Sequence, residues 1–154
     1  MKYVVGSFSA FALAVVAHAG DLSSTPSVAP PVDKRGAVLC QWSITITSKA
    51  IGEACFPGRD KDYLAALGWA IAQMDTFILR NSKTTKTQLQ SNKGKIEEEA
   101  RKNILFDQSG RCVPGQSAFI FYPEAAPTFD RKRLEIEVKA LLAVDRPPVM
   151  NPCL

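Results

Sequence analysis

Few residues of this chain could do chemistry: one histidine, four cysteines, and carboxylates scattered without a recurring spacing. A hydrolase built on a Ser-His-Asp or Cys-His arrangement needs an imidazole as its base. The only one, His18, closes the first 19 residues. There Phe8-Ser9-Ala10-Phe11-Ala12-Leu13-Ala14-Val15-Val16 is followed by Ala17-His18-Ala19 and then Gly20. Small residues at both Ala positions suit a signal-peptidase groove, and so short an apolar run cannot span a bilayer of about 30 Å. Residues 1–19 therefore read as a signal peptide cut between Ala19 and Gly20. The exported chain is left without an imidazole, which excludes His-based nucleophilic catalysis, His-ligated zinc and a histidine pH switch.

Carboxylates are the remaining route to catalysis. Asp107, Glu124 and Asp130 fall in or near loops, where a glycosidase pair would need to converge to about 5–9 Å. Nothing in their spacing pairs them, and Glu97-Glu98-Glu99 on a helix point in different directions. No catalytic residue, metal ligand set or cofactor is expected. The four cysteines, Cys40, Cys55, Cys112 and Cys153, include no CxxC pair and read as two disulfides of an exported domain. For binding, the densest basic cluster is Arg131-Lys132-Arg133, behind a loop with Pro123, Pro127 and Phe129. Such a cluster beside an aromatic residue could dock an acidic surface, against the plainer account of a solvated helix start. Trp69, off the main stripe of its helix, is the second candidate. A net charge of +4 without basic residues interleaved with aromatics is not the footprint of a nucleic-acid module.

Ahead of the domain, Asp21 to Asp33 carries three prolines, four Ser/Thr and no aromatic residue. Such a composition buries too little apolar surface to offset chain entropy, so residues 20–35 read as a disordered pro-segment. It ends in Lys34-Arg35 before Gly36. This layout of signal peptide, polar pro-segment and dibasic pair resembles precursors of small secreted fungal proteins, killer toxins and effectors among them, matured by kexin-type proteases. The resemblance covers residues 1 to about 36. Together with the disulfides, the small size and the lack of a catalytic constellation, it points to a secreted, non-catalytic binding protein acting on an unknown protein or cell-surface target of a host or competitor, expected as a monomer. Residues 36–154 are the size of one domain. The other function classes are a small carboxylate-only hydrolase and an apolar-ligand carrier.

The elements that would position these residues follow from periodicity. Leu64, Leu67, Ile71, Met74 and Ile78 make a helical stripe across Asp60–Arg80, with Asp60 as N-cap and Asn81-Ser82 as stop. A second helix runs over Thr84–Leu105 along Leu89, Lys93, Ile96, Ala100 and Ile104, with Gly94 a possible break. Two helices joined by a few residues pack antiparallel, bringing Cys55 and Cys112 to one end. That favours Cys55–Cys112 and leaves Cys40 to Cys153. Trp42-Ser43-Ile44-Thr45-Ile46-Thr47 alternates like a strand within Val38–Thr47, and Ser117–Tyr122 reads as another. Residues 128–144 fit either period, with helix preferred. The expected fold is α+β: a small antiparallel sheet covered by a helical hairpin.

Overall fold

The structure, a computed structural model, describes residues 32–113, 122 and 126–153. Those residues form four α-helices: α1 (Val38–Cys55), α2 (Lys61–Asn81), α3 (Lys86–Lys102) and α4 (Arg131–Leu142), with a 3-10 turn at Ala126–Thr128 before α4. No strand longer than an isolated bridge occurs among them, so the expected sheet is not there.

The correction is largest at Val38–Thr47, which is the first part of α1 rather than a strand. Its alternation is real, but the side chains that become buried are Val38, Trp42, Ile46 and Ala50, four residues apart, while Ile44 is only half-buried. The polar residues between them are also satisfied as a helix. Ser43, Thr45 and Ser48 each donate a hydroxyl proton to the carbonyl four residues earlier, at 2.9, 2.6 and 2.9 Å. Preference for a strand depends on finding a partner edge, and here the partners are helices. α1 packs broadly against both α2 and α3, which meet each other over a much shorter stretch, and α4 packs on α2. The expected strand over Ser117–Tyr122 lies outside the described residues except for Tyr122, which is fully buried.

The other helices follow their stripes closely. α2 buries Tyr63, Ala66, Leu67, Ala70, Ile71, Met74, Phe77 and Ile78. At its end, Asn81 Nδ2 and Ser82 Oγ donate to the carbonyls of Phe77 and Ile78, each four residues back along the last turn. α3 opens with a capping box: the Gln88 amide donates to Thr85 Oγ1, and the Thr85 amide to Gln88 Oε1. Gly94 sits in open space within it and does not interrupt the helix. Residues 128–144 resolve in favour of helix as α4.

Two clusters make the core. Trp42, Ile46, Met74, Phe77, Leu89 and Val138 anchor the larger, and Ile51, Tyr63, Leu67, Ile104 and Tyr122 the smaller. Disulfides Cys55–Cys112 and Cys40–Cys153, with Cα–Cα distances of 5.5 and 5.4 Å, join the end of α1 to the turn after α3 and the start of α1 to the C-terminal segment. These are the two pairs that the helical-hairpin argument favours. Among the described residues no helix is long and apolar enough to cross a membrane.

Candidate functional site

Asp130 starts α4, its carboxylate accepting from the Lys132 and Arg133 amides at 2.9 and 3.3 Å. Arg131, Lys132 and Arg133 then stand exposed on the first turn, where positive charge opposes the helix dipole. Both arginines are answered one turn later: Arg131 Nε donates to Glu135 at 3.0 Å and Arg133 Nε to Glu137 at 2.8 Å. With Asp130, three acids stand against three bases over Asp130–Glu137. The cluster that looks strongly basic in the sequence is locally close to neutral.

Beside it, α1 and α4 leave an open groove. Its first section, about 340 Å3, is lined by Gln41, Ile44, Leu67, Phe129, Arg133 and Leu134, among others. Gln41, Leu134 and Glu137 also line a second section of about 650 Å3, which continues past Val138 and Leu141 to Arg35. The floor is aliphatic and aromatic, and the rim carries both signs of charge. Phe129 is half-buried, its ring tilted against Tyr63 with centroids 4.9 Å apart. Burial pushes the Tyr63 hydroxyl above its ordinary pKa, so it lies at the groove as a neutral group.

Phe129 and Arg133 thus meet at the groove, with Arg131 and Lys132 on the same helical turn. Trp69 does not join them. It is half-buried on α2 against the larger core cluster, so the residue that falls off the stripe widens the buried face. Lys34 and Arg35 have exposed side chains on a turn, and Gly36 follows with a positive φ of 107°. Ala19 and Gly20 lie outside the described residues, as does Glu124.

The two other loop carboxylates serve local structure. Asp107 accepts from the Ser109 amide and hydroxyl and from Arg111, which hold its carboxyl below the ordinary value despite slight desolvation. Asp130 is the α4 cap. Among the described residues no group of three or more His, Cys, Asp or Glu could hold a metal ion.

Two polar clusters escaped the sequence reading. Asp75 on α2 accepts from Trp42 Nε1 on α1 and Lys93 Nζ on α3, both at 2.7 Å. The signal for it was Lys93, a lone cation on the narrow apolar line of α3. Arg146 reaches four acceptors: the Asp33 carboxylate and the carbonyls of Leu141, Val144 and Gly36. Its guanidinium also lies 5.5 Å from the centre of the Phe77 ring. Asp33 and Arg146 are 113 residues apart, and no local pattern could have joined them.

Comparison with protein-family models, with curated proteins and with solved structures finds no match to this chain.

Proposed function

We propose that this protein is a small secreted binding protein of the effector or toxin kind, which seats a segment of a target protein between α1 and α4. The observation that carries the reading is the groove itself: an apolar floor of Ile44, Phe129, Leu134 and Leu141 under a rim bearing Arg133 and Glu137, all of them in the part of the chain that follows Arg35. A rim of mixed sign favours a polypeptide with an apolar stripe and flanking charges of both signs. A polyanion would be repelled by Glu137 and would find Arg131 and Arg133 already paired. Two disulfides fit an oxidising compartment, which supports export. Export by a cleaved signal peptide and maturation after Lys34-Arg35 belong to the same proposal, as does action on a host or competitor target.

A photoreactive residue at Gln41, in the groove, tests the reading against one at Lys95 on the exposed face of α3. With the natural target cells or their surface proteins, position 41 gives a saturable adduct and position 95 does not. Reversal of Arg131 and Arg133 to glutamate removes the adduct and the biological activity while the melting temperature stays within a few degrees. Equal labelling at both positions, or full activity of the folded double variant, would remove this groove from consideration.

A further inference from the structure

The turn that carries the dibasic pair is built into the domain. The Asp33 amide donates to the Asn151 carbonyl at 2.9 Å, and Val32 bridges to Asn151 in parallel. The Gly36 amide closes the turn onto the Asp33 carbonyl at 3.1 Å, and the Arg35 amide donates to Asp33 Oδ1 at 2.9 Å. The other Asp33 oxygen receives Arg146 Nε, and Arg146 Nη2 holds the Gly36 carbonyl at 3.1 Å. Both ionised side chains are largely buried, Arg146 at 13% and Asp33 at 10% exposure. The Arg35–Gly36 peptide bond therefore sits inside a hydrogen-bonded turn with α1 beginning two residues beyond Gly36. Lys34 and Arg35 are exposed and readable, but the backbone beneath them is not extended.

An endoprotease binds its substrate as an extended strand, pairing main-chain groups on both sides of the bond it cuts. Reaching that shape here means opening the Gly36–Asp33 turn and drawing the Gly36 carbonyl away from Arg146. We propose that the Asp33–Arg146 ion pair is a latch on the Lys34-Arg35 processing site, so that cleavage after Arg35 proceeds through local opening of this turn. The inference rests on the reading of Lys34-Arg35 as a maturation site and adds its control. Cleavage takes place before the C-terminal segment docks, or through the rare opened state afterwards. It also carries Asp33 away from Arg146, so the cut chain cannot re-form the ion pair within one covalent strand.

The test uses the full disulfide-bonded chain and a dibasic-specific endoprotease at neutral pH, with intact mass following the release of residues 36–154. Asp33→Asn keeps an acceptor for the Arg35 amide while removing the charge that holds Arg146. It is cut after Arg35 about fivefold faster than wild type or more. Asp145→Asn, which removes the exposed Arg80 pair near the same C-terminal segment, is cut at the wild-type rate. Arg101-Lys102 and Arg131-Lys132-Arg133, both helical, serve as internal reporters of general unfolding and stay intact in every sample. Equal rates for wild type and Asp33→Asn would overturn the latch, and so would parallel acceleration at the helical pairs. A synthetic peptide of residues 28–40 separates the two claims. If it resists the protease, the maturation reading fails and the latch with it; if it is cut while Asp33→Asn behaves as wild type, only the latch fails.

Discussion

Asp75 stands where α1, α2 and α3 meet, and its two oxygens are shared between helices: one takes the Trp42 indole proton, the other the Lys93 ammonium. Lys93 and Asp75 are each about four-fifths buried, at 20% and 16% side-chain exposure, so water replaces either partner poorly. Asp75→Ala strands an indole N–H and a cation together and is expected to cost about 1.5–3 kcal/mol in urea unfolding. Lys93→Met leaves the indole bond in place and continues the apolar line of α3 but strands the Asp75 carboxylate, so it should cost less than Asp75→Ala by about the indole hydrogen bond, roughly 1 kcal/mol. Equal losses from the two variants would mean that the carboxylate does not join three helices. At this scale the sequence is partly legible. A lysine on an apolar line calls for a partner, but which of the chain's 15 acids supplies it is decided by how α2 and α3 rotate against α1.

Among the elements, α1 depends on one glycine. A Cβ at Gly52 would lie 2.3 and 2.6 Å from two Tyr122 ring carbons and 2.7 Å from Leu64 Cδ2. The ring has little room to retreat: Tyr122 is fully buried, stacked on Phe56 at 5.3 Å, and its hydroxyl donates to Asp60 Oδ2 at 3.2 Å. Burial first, then the Asp60 charge, raises the Tyr122 pKa well above its ordinary value and keeps that donor proton in place. Alanine improves on glycine in a helix interior by about 1 kcal/mol, yet the overpacking here outweighs it. Gly52→Ala is expected to lose about 1–3 kcal/mol net, whereas Gly94→Ala, in open space on α3, gains up to about 1 kcal/mol. Thermal melts followed by circular dichroism compare the two; a shift upward in both would contradict the seating of Tyr122 against α1. Asp60 shows why boundary and role separate. It occupies the N-cap position expected of it, but with a φ of 50° its carboxylate turns to Tyr122 instead of the first-turn amides.

At the scale of the whole molecule, residues 32–40 and 146–153 close the described domain on itself. Cys40–Cys153, the Val32–Asn151 bridge, the Leu39 amide on the Val149 carbonyl and the Asp33–Arg146 pair all join the segment before and into α1 to the residues after α4. Acid should loosen this closure first. For Asp33, desolvation works against the charge, but the Arg146 hydrogen bond, the Arg35 amide and the neighbouring guanidinium charges outweigh it and hold the pKa below 3.8. For Asp145, the hydrogen bonds from Arg80 and Asn81 do the same. A carboxylate held low in the folded state stabilises fully above its unfolded pKa, and that contribution is lost as pH falls through the folded value. In the uncleaved chain, amide protection factors at Asp33 and Leu39 are therefore expected to hold above the ordinary value of 3.8 and fall below it, before those of Ile46 or Met74. Asp33→Asn should remove most of that dependence. Protection at both amides unchanged down to about pH 2 would show that these two segments are held by other means.

What the sequence determined by itself was local: the reach of α2, the register of α3 along Leu89, Ile96 and Ala100, though the helix ends at Lys102 short of Ile104, and the candidacy of residues 128–144 as a helix. Each rests on a repeat of three and four residues that only a helix can turn to one side. The favoured cysteine pairing also came within reach, because helices joined by short turns constrain which chain ends can meet. Tertiary structure decided the rest. Trp42–Thr47 fits both periods, and it became helix because α2 and α3 offer it apolar faces to pack between, with its hydroxyls satisfied by its own carbonyls. The groove brings Phe129 and Arg133 beside Gln41 and Ile44, residues more than 80 positions away, and the ion pairs with Glu135 and Glu137 emerge only once α4 sets them one turn apart. Asp33 found Arg146 for the same reason: side-chain pairing over such a separation follows from the packing of helices and leaves no periodicity in the chain.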